Sequence, residues 1–290
     1  MNILVTGASG QLGLTFQDKV RSWGHAVYFA DIQPKDGIVL TLDITDRDAV
    51  AKCLDDNHID VMINCAGYTN VDAAESDEAT AFKVNAEAVG ILAQEAAARG
   101  VMLIHISTDY IFDGQSGVPY AEDAEPAPLS AYGRSKLAGE LAVLASSCPH
   151  IIIRTSWLFS THGKNFVKTI LNKSSEQPLL KVVCDQTGTP TYAGDLADFI
   201  MHVIDNEPFD HQGIYNYTNE GVCSWYDLAR EVCEMAGSLC HVEPCRTGEY
   251  PVKASRPHFS VLDKSKAKRI FGIEIPHWKD SLHFCLSKML

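Results

Sequence analysis

The chain has 290 residues, 46% of them hydrophobic, with 24 Lys and Arg against 37 Asp and Glu for a formal charge of -13. That length holds one large domain or two fused lobes, and the acidic balance argues against a nucleic-acid surface, which needs clustered cations. No apolar run approaches the roughly 20 residues of a membrane span, and the amino terminus enters a strand pattern without the features of a secretory signal. The nine cysteines are odd in number and contain no CxxC pair, and the 11 histidines form no HExxH-like pair. A reducing cytoplasm and no catalytic metal are therefore expected.

In chain order, a short apolar run at 3–5 enters a loop carrying Gly7, Gly10 and Gly13, and a helical pattern follows to about Trp23. Glycines at this spacing let the backbone turn tightly and approach a pyrophosphate, with the free N–H groups of a helix start aimed at the anion. Alone the pattern is weak; between a strand and a helix it has the context it needs. Residues 26–30 read as a second strand ending at Asp31, 18 residues after Gly13. An acid there can accept hydrogen bonds from an adenosine ribose and repel a 2′-phosphate, which tilts the choice toward NAD(H), although Lys35 lies close enough to blunt it.

A helix is expected after Asp43-Ile44-Thr45-Asp46, then a third strand at 61–64 leading into Cys65-Ala66-Gly67-Tyr68, and a long Ala-rich helical region from about 73 to 99. Residues 102–106 form a fourth strand that delivers Ser107 and Thr108 to its carboxyl end. After a turn-rich loop with Pro119, Pro126, Pro128 and Ser130, a helix is predicted from 131 to about 145, and 151–153 form a fifth strand. The acidic loop Glu122-Asp123-Ala124-Glu125 reads as a solvated lid edge.

Strands alternating with helices predict an α/β fold, a Rossmann-type doubly wound parallel sheet. Ligands in such sheets bind outside the carboxyl ends of the strands, where Gly7, Asp31, Asp43, Gly67 and Thr108 all fall. Tyr132 and Lys136 stand four residues apart on one helix face. A phenol titrates near pH ~10 in water, and a nearby cation would lower it, giving a proton donor suited to carbonyl reduction.

At this point whole segments carry a resemblance: GASGQLG from Gly7, NCAGYTNVDAAE from Asn64, STDYIFDG from Ser107, YGRSKLAGE from Tyr132, RTSWLF from Arg154, GKNF from Gly163, DQTGTPTYAGDLA from Asp185 and SRPHFSVLD from Ser255. Over almost its full length the chain resembles the extended short-chain dehydrogenase/reductase family and, within it, the dTDP-4-dehydrorhamnose reductases. The resemblance implies reduction of the C4 keto group of dTDP-4-dehydro-L-rhamnose with NADPH or NADH. In that reading Tyr132 protonates the C4 oxygen, Lys136 lowers the phenol's pKa and holds the nicotinamide ribose, and Thr108 hydrogen-bonds the carbonyl or Tyr132. Gly10, Gln11 and Leu12 lie along the pyrophosphate, Asp31 meets the adenosine ribose, Asp43 and Ile44 flank adenine, and Cys65, Ala66 and Gly67 line the cofactor channel. Asp109 and Trp157 contact the sugar, and Arg256 is the candidate for the diphosphate.

Three alternatives belong beside it. Related sugar-nucleotide dehydratases carry an acid pair after the Ser/Thr, but here Asp109 is followed by Tyr110. Epimerases keep NAD bound tightly, for which the sequence offers no sign. Other relatives are non-catalytic regulatory subunits of methionine adenosyltransferase, although the intact Thr108, Tyr132 and Lys136 favour an enzyme. Where some relatives hold a bridging metal with an acid in the first helix, this chain has Leu14-Thr15-Phe16, so a monomer or a weak homodimer without a metal bridge is expected. The expected division puts the nucleotide-binding domain at 1–156 with 186–212, and a sugar-nucleotide lobe at 157–185 with 213–290.

Overall fold

The computed structural model describes residues 1–34, 39–206, 208–250 and 253–290. Its strands are β1 (Asn2–Thr6), β2 (Ala26–Asp31), β3 (Leu40–Thr41), β4 (Val61–Asn64), β5 (Met102–Thr108), β6 (His150–Thr155), β7 (Leu158–Phe159), β8 (Leu179–Val183), β9 (Thr187–Gly188), β10 (Thr191–Tyr192), β11 (Gly213–Asn216), β12 (Cys223–Ser224) and β13 (His241–Cys245). The α-helices are α1 (Gln11–Lys19), α2 (Arg47–Asp56), α3 (Val71–Ala74), α4 (Glu78–Phe82), α5 (Ala88–Arg99), α6 (Ala131–Ala145), α7 (Phe166–Glu176), α8 (Ala193–Asp205), α9 (Trp225–Met235), α10 (Ser265–Phe271) and α11 (Trp278–Ser287).

Seven strands form one sheet in the order β11-β6-β5-β4-β1-β2-β3, with every pairing parallel. Parallel strands are covered on both faces and so read as continuous apolar runs, whose residues alternate between two cores. Ile3, Val5, Ile63, Ile104 and Ile153 point to one, where Leu196, Phe199 and Ile200 of α8 and Phe16 of α1 cover them. Leu4, Met62, Leu103 and Ile152 point to the other, under Val50 and Leu54 of α2, Val89 and Leu92 of α5, and Val143 of α6. The chain runs outward from β1 to β3 and returns to β4 on the other side of β1, so the strand order reverses between β1 and β4. A crevice opens at such a switch point.

A third core is built by β8 and β13, which pair in parallel, together with α7, α9 and α11. Leu180, Val182, Leu228, Val232 and Leu282 fill it.

Three expectations change. Residues 213–216 were placed in the smaller lobe, but β11 pairs with β6 as the edge strand of the main sheet. Ala267, Phe271 and Ile275 likewise pack into the main core. Both segments are short and lie far from the βα repeat, so only tertiary packing reveals where they belong. The helical region at 73–99 is broken into α3, α4, a π-helical turn over Lys83–Glu87, and α5. Asn70 and Asp77 cap the first two pieces with their side chains, accepting from Ala73 N and Thr80 N. The acidic loop is solvated at Asp123 and Glu125, but Glu122 is tied in: it accepts from the Asn216 amide through Oε1 and from Arg154 Nη1 through its carbonyl.

Candidate active site

The glycine loop sits at the switch point. Gly7 has φ +67°, and a Cβ there would come within 2.5 Å of Ala66 N, so the β1 loop packs backbone to backbone on the segment after β4. Helix α1 then begins at Gly10 with no side-chain cap and no acid in its first turn. The side chains of Asp46, Ser130, Asn165 and Ser224 cap α2, α6, α7 and α9. The first N–H groups of a helix have no intrahelical partner, so the α1 start fits the pyrophosphate of a dinucleotide.

Around it the expected residues fall as follows. Asp31 ends β2 and accepts from Ser9 N at 2.9 Å and Gln33 N at 3.0 Å, tying it to the glycine loop. Lys35 lies outside the described residues. Gln11 spends its side-chain oxygen on Ser160 Oγ and Asn165 Nδ2, a link to the smaller lobe, and Leu12 is buried in the core, so only its backbone can face an anion. Ile44 is also buried in the core, and Asp43 accepts from Thr45 N at 2.8 Å. Cys65 and Ala66 pack against the two cores, and burial pushes the Cys65 thiol up.

Helix α6 is set firmly. Ser130 Oγ accepts from Gly133 N at 3.0 Å, and Glu75 accepts from Ala131 N at 2.8 Å. Asn85, in the π turn, accepts from Tyr68 N and donates to Tyr68 O and to Ser135 Oγ, at 2.8, 3.0 and 3.0 Å, which ties the loop after β4 to α6. This fixes Tyr132 and Lys136 against the end of β5.

Lys136 is buried and donates to Ile106 O at 2.6 Å, with His105 Nε2 at 3.4 Å. Burial pulls its pKa down to about 8, against the opposing pull of Glu140. His105, buried beside that ammonium, is held well below its usual range. For Tyr132 the expectation was a lowered phenol pKa. Instead burial pushes it up to about 12, with the Thr108 hydroxyl drawing it down and the Asp109 carboxyl raising it. In this structure desolvation outweighs the Thr108 hydroxyl, which keeps the phenol in the protonated form that a proton donor needs before the reaction.

Thr108 Oγ1 donates to Asp109 Oδ1 at 3.0 Å and accepts from Tyr110 N at 3.2 Å. Asp109 is 2% exposed, and burial lifts its carboxyl to about 7, with the nearby Ser260 and Thr108 hydroxyls drawing it down. Its Oδ2 is buried without a partner among the described residues. The Tyr110 ring meets Tyr132 edge to face at 5.5 Å.

Trp157 follows β6 with a left-handed backbone, φ +48°, and stacks on Trp225 with ring centroids 3.6 Å apart. A non-glycine residue held there is strained, a feature that clusters at functional sites. Trp225 borders a cavity of about 280 Å³ in the smaller lobe, lined also by Phe166, Tyr250 and Gln186, with Lys173, Lys181 and Arg256 as its cations. Arg256 donates from Nη2 to Asp72 at 2.8 Å.

Sequence reasoning passed over Asn85, His105, Glu140 and the cavity. Two had a signal: His105 interrupts the apolar run at 102–106, and Asn85 interrupts an Ala-rich helix. Glu140 looks like an ordinary helix residue, yet it is 1% exposed and pairs with buried Arg154 at 2.8 Å. Among the described residues no cluster of three or more His, Cys, Asp or Glu could hold a metal, and no helix is long and apolar enough to cross a membrane.

A glycine-cradled helix start at the switch point of a doubly wound sheet, together with a half-buried Tyr and a buried Lys one helical turn apart on α6, defines the class: a nucleotide-dependent oxidoreductase of the short-chain dehydrogenase/reductase type. Comparison with known proteins narrows it. The family model described as "RmlD substrate binding domain" matches residues 1–290, and the chain belongs to that family. A dTDP-4-dehydrorhamnose reductase of Sinorhizobium fredii is 38% identical, over 97% of this chain and 95% of the relative. The crystal structure of a dTDP-4-dehydrorhamnose reductase from Clostridium acetobutylicum superposes with a TM-score of 0.93 at 40% identity, covering 100% of this chain and 99% of that one. The Bacillus anthracis enzyme, solved in complex with NADP, gives 0.90 at 33% identity, covering 99% of each chain.

Proposed function

We propose that this chain reduces the C4 keto group of dTDP-4-dehydro-L-rhamnose to dTDP-L-rhamnose, the last step in making that sugar nucleotide, using NADPH or NADH. The observation that carries the reading is the Tyr132–Lys136 pair on α6, joined in the same chain by two binding features, an uncapped helix start at the glycine loop and a cation-lined aromatic cavity in the smaller lobe. The first suits a dinucleotide. The second suits a nucleoside diphosphate: Trp225, Phe166 and Tyr250 offer faces for a base, Gln186 an amide for its edge, and three cations offset phosphate charge in an otherwise acidic protein.

When bound, the reduced nicotinamide supplies the hydride. Tyr132 gives its proton to the sugar oxygen, and Thr108 turns its single hydroxyl proton from Asp109 to the charge that grows there. Lys136, held by the Ile106 carbonyl, is placed for the nicotinamide ribose, and Asp31 for the adenosine ribose. Asp109 and Trp157 flank the sugar, and Arg256 takes the diphosphate. Elimination chemistry is disfavoured because Tyr110, whose phenol burial pushes up, stands where a dehydratase carries its second acid.

The nine free cysteines fit a cytoplasmic location, and we assign a monomer or a weak dimer with no metal bridge, since Thr15 and Phe16 of α1 are buried. Purified protein is expected to oxidise NADPH or NADH with dTDP-4-dehydro-L-rhamnose in preference to UDP-linked keto-sugars. Failure with that substrate alongside ready turnover of another keto-sugar would overturn the assignment. Sedimentation with and without chelator tests the assembly.

A further inference from the structure

Two segments singled out by the sequence, that starting at Asn64 and that starting at Ser255, meet in space through one carboxylate to which the reaction gives no role. Asp72 stands in α3, directly after the loop that lines the cofactor channel. Its Oδ1 accepts from Lys253 N at 3.2 Å and Ala254 N at 3.1 Å, and its Oδ2 from Arg256 Nη2 at 2.8 Å. The bonds therefore run from the main domain to the strap that carries the arginine. Burial would raise this carboxyl, but the Ala254 amide, the Arg256 guanidinium and the Lys253 amide outweigh it and keep it below the usual carboxylate range.

The arginine is left poised. Its Nε is buried and has no partner among the described residues, while the side chain lines the cavity. Its charge also reaches the Tyr110 phenol, which packs on Tyr132. A free arginine loses much rotamer freedom when it clamps a phosphate, and a guanidinium already fixed by a carboxylate loses less.

We propose that Asp72 is a positioning residue: it pre-orients Arg256 toward the diphosphate of the sugar nucleotide and couples the cofactor loop to the substrate strap. This rests on the nucleoside-diphosphate reading of the cavity. Asp72 touches neither substrate nor cofactor and acts through Arg256. A purely structural role, holding the strap by its two amides, is the competing account, and the two differ in how Asp72 and Arg256 depend on each other.

The test is calorimetric binding of dTDP and of thymidine, which lacks the diphosphate, to the full chain, to Asp72→Asn, to Arg256→Gln and to the double variant. Asp72→Asn is expected to weaken dTDP binding about tenfold, the equivalent of one pre-ordered side chain, with thymidine unchanged. In the Arg256→Gln background the same substitution should add nothing. Asp72→Glu, which keeps the charge, should recover part of the loss and guards against a variant that misfolds. In turnover, the effect should fall on KM for the sugar nucleotide and leave kcat within about twofold, as loss of uniform binding does. Equal weakening of dTDP and thymidine, or additive losses in the double variant, would overturn the proposal in favour of a strap anchor. Tight wild-type dTDP binding left unchanged by Asp72→Asn would overturn it alone. A wild-type protein indifferent to dTDP would overturn the nucleoside-diphosphate reading and this proposal with it.

Discussion

Helices α1 and α6 both begin at the carboxyl edge of the same sheet, yet their first turns are finished in opposite ways. At α1 the residue before the helix is Gly10, no side chain caps the amides, and the first turn holds no acid. At α6 Ser130 and Glu75 both accept from the first turn. The difference separates binding from chemistry. An uncapped start leaves donors for an anion that arrives from outside, whereas a start capped by two side chains gives its helix one orientation and holds the side chains of its first two turns in place. Tyr132 and Lys136 lie on the second kind, where a displacement of one ångström would matter most.

The comparison breaks most sharply at Tyr132. Tyr132→Phe should reduce turnover by roughly 10²–10⁴-fold, the usual worth of a positioned acid, while NADPH binding measured by fluorescence titration stays within about twofold. Turnover close to wild type would remove the phenol from the mechanism. At the other helix start, Gly7→Ala forces a methyl group into Ala66 and strains a left-handed backbone. The expected loss is about 1–3 kcal/mol in urea unfolding, accompanied by weaker cofactor binding. Unchanged stability and affinity would show that the loop is not the cradle described.

Ser130→Ala sharpens the contrast. Removing this cap should cost about 1 kcal/mol of stability and lower kcat severalfold without changing cofactor affinity. If affinity fell and kcat did not, the two starts would not divide the labour as argued. A last test, read against pH, concerns Asp109. Its carboxyl is raised by folding from ~3.9 to about 7, so the stability tied to its proton is full below the lower value and is lost as pH rises through the upper one. Thermal midpoints measured from pH 4 to 8 should therefore show a downward contribution that Asp109→Asn lacks. Identical pH profiles would mean that the carboxyl is not desolvated in solution.

The division between what could be read and what could not follows the same physics. Gly7, Asp31, Gly67 and Thr108 were legible because parallel βα units place strand ends by rule, and α6 was legible from its turn-rich approach and regular pattern. The strand at Gly213–Asn216 was not, because joining an edge 57 residues downstream of β6 depends on a pairing that no local spacing encodes. The direction of the Tyr132 shift was misjudged for a related reason: a neighbouring lysine is visible in a sequence, and the depth at which a phenol is buried is not. The cavity bordered by Trp225 draws on four separate stretches of chain, from Phe166 to Arg256, so it too exists only after folding.

Asn85 has a consequence for anyone who recombines this enzyme with its relatives. Its side chain joins the segment after β4 to α6, and its own carbonyl lies 2.1 Å from where a Cβ on Gly139 would stand. The π turn and the face of α6 that carries Ser135 and Gly139 are thus cut to one template. A chimera that inherits residues 83–87 from one parent and 131–140 from another should misregister even when both parents are active, whereas crossover points outside both stretches should be tolerated. In library terms the two stretches form one heritable block separated by more than forty residues of exchangeable sequence.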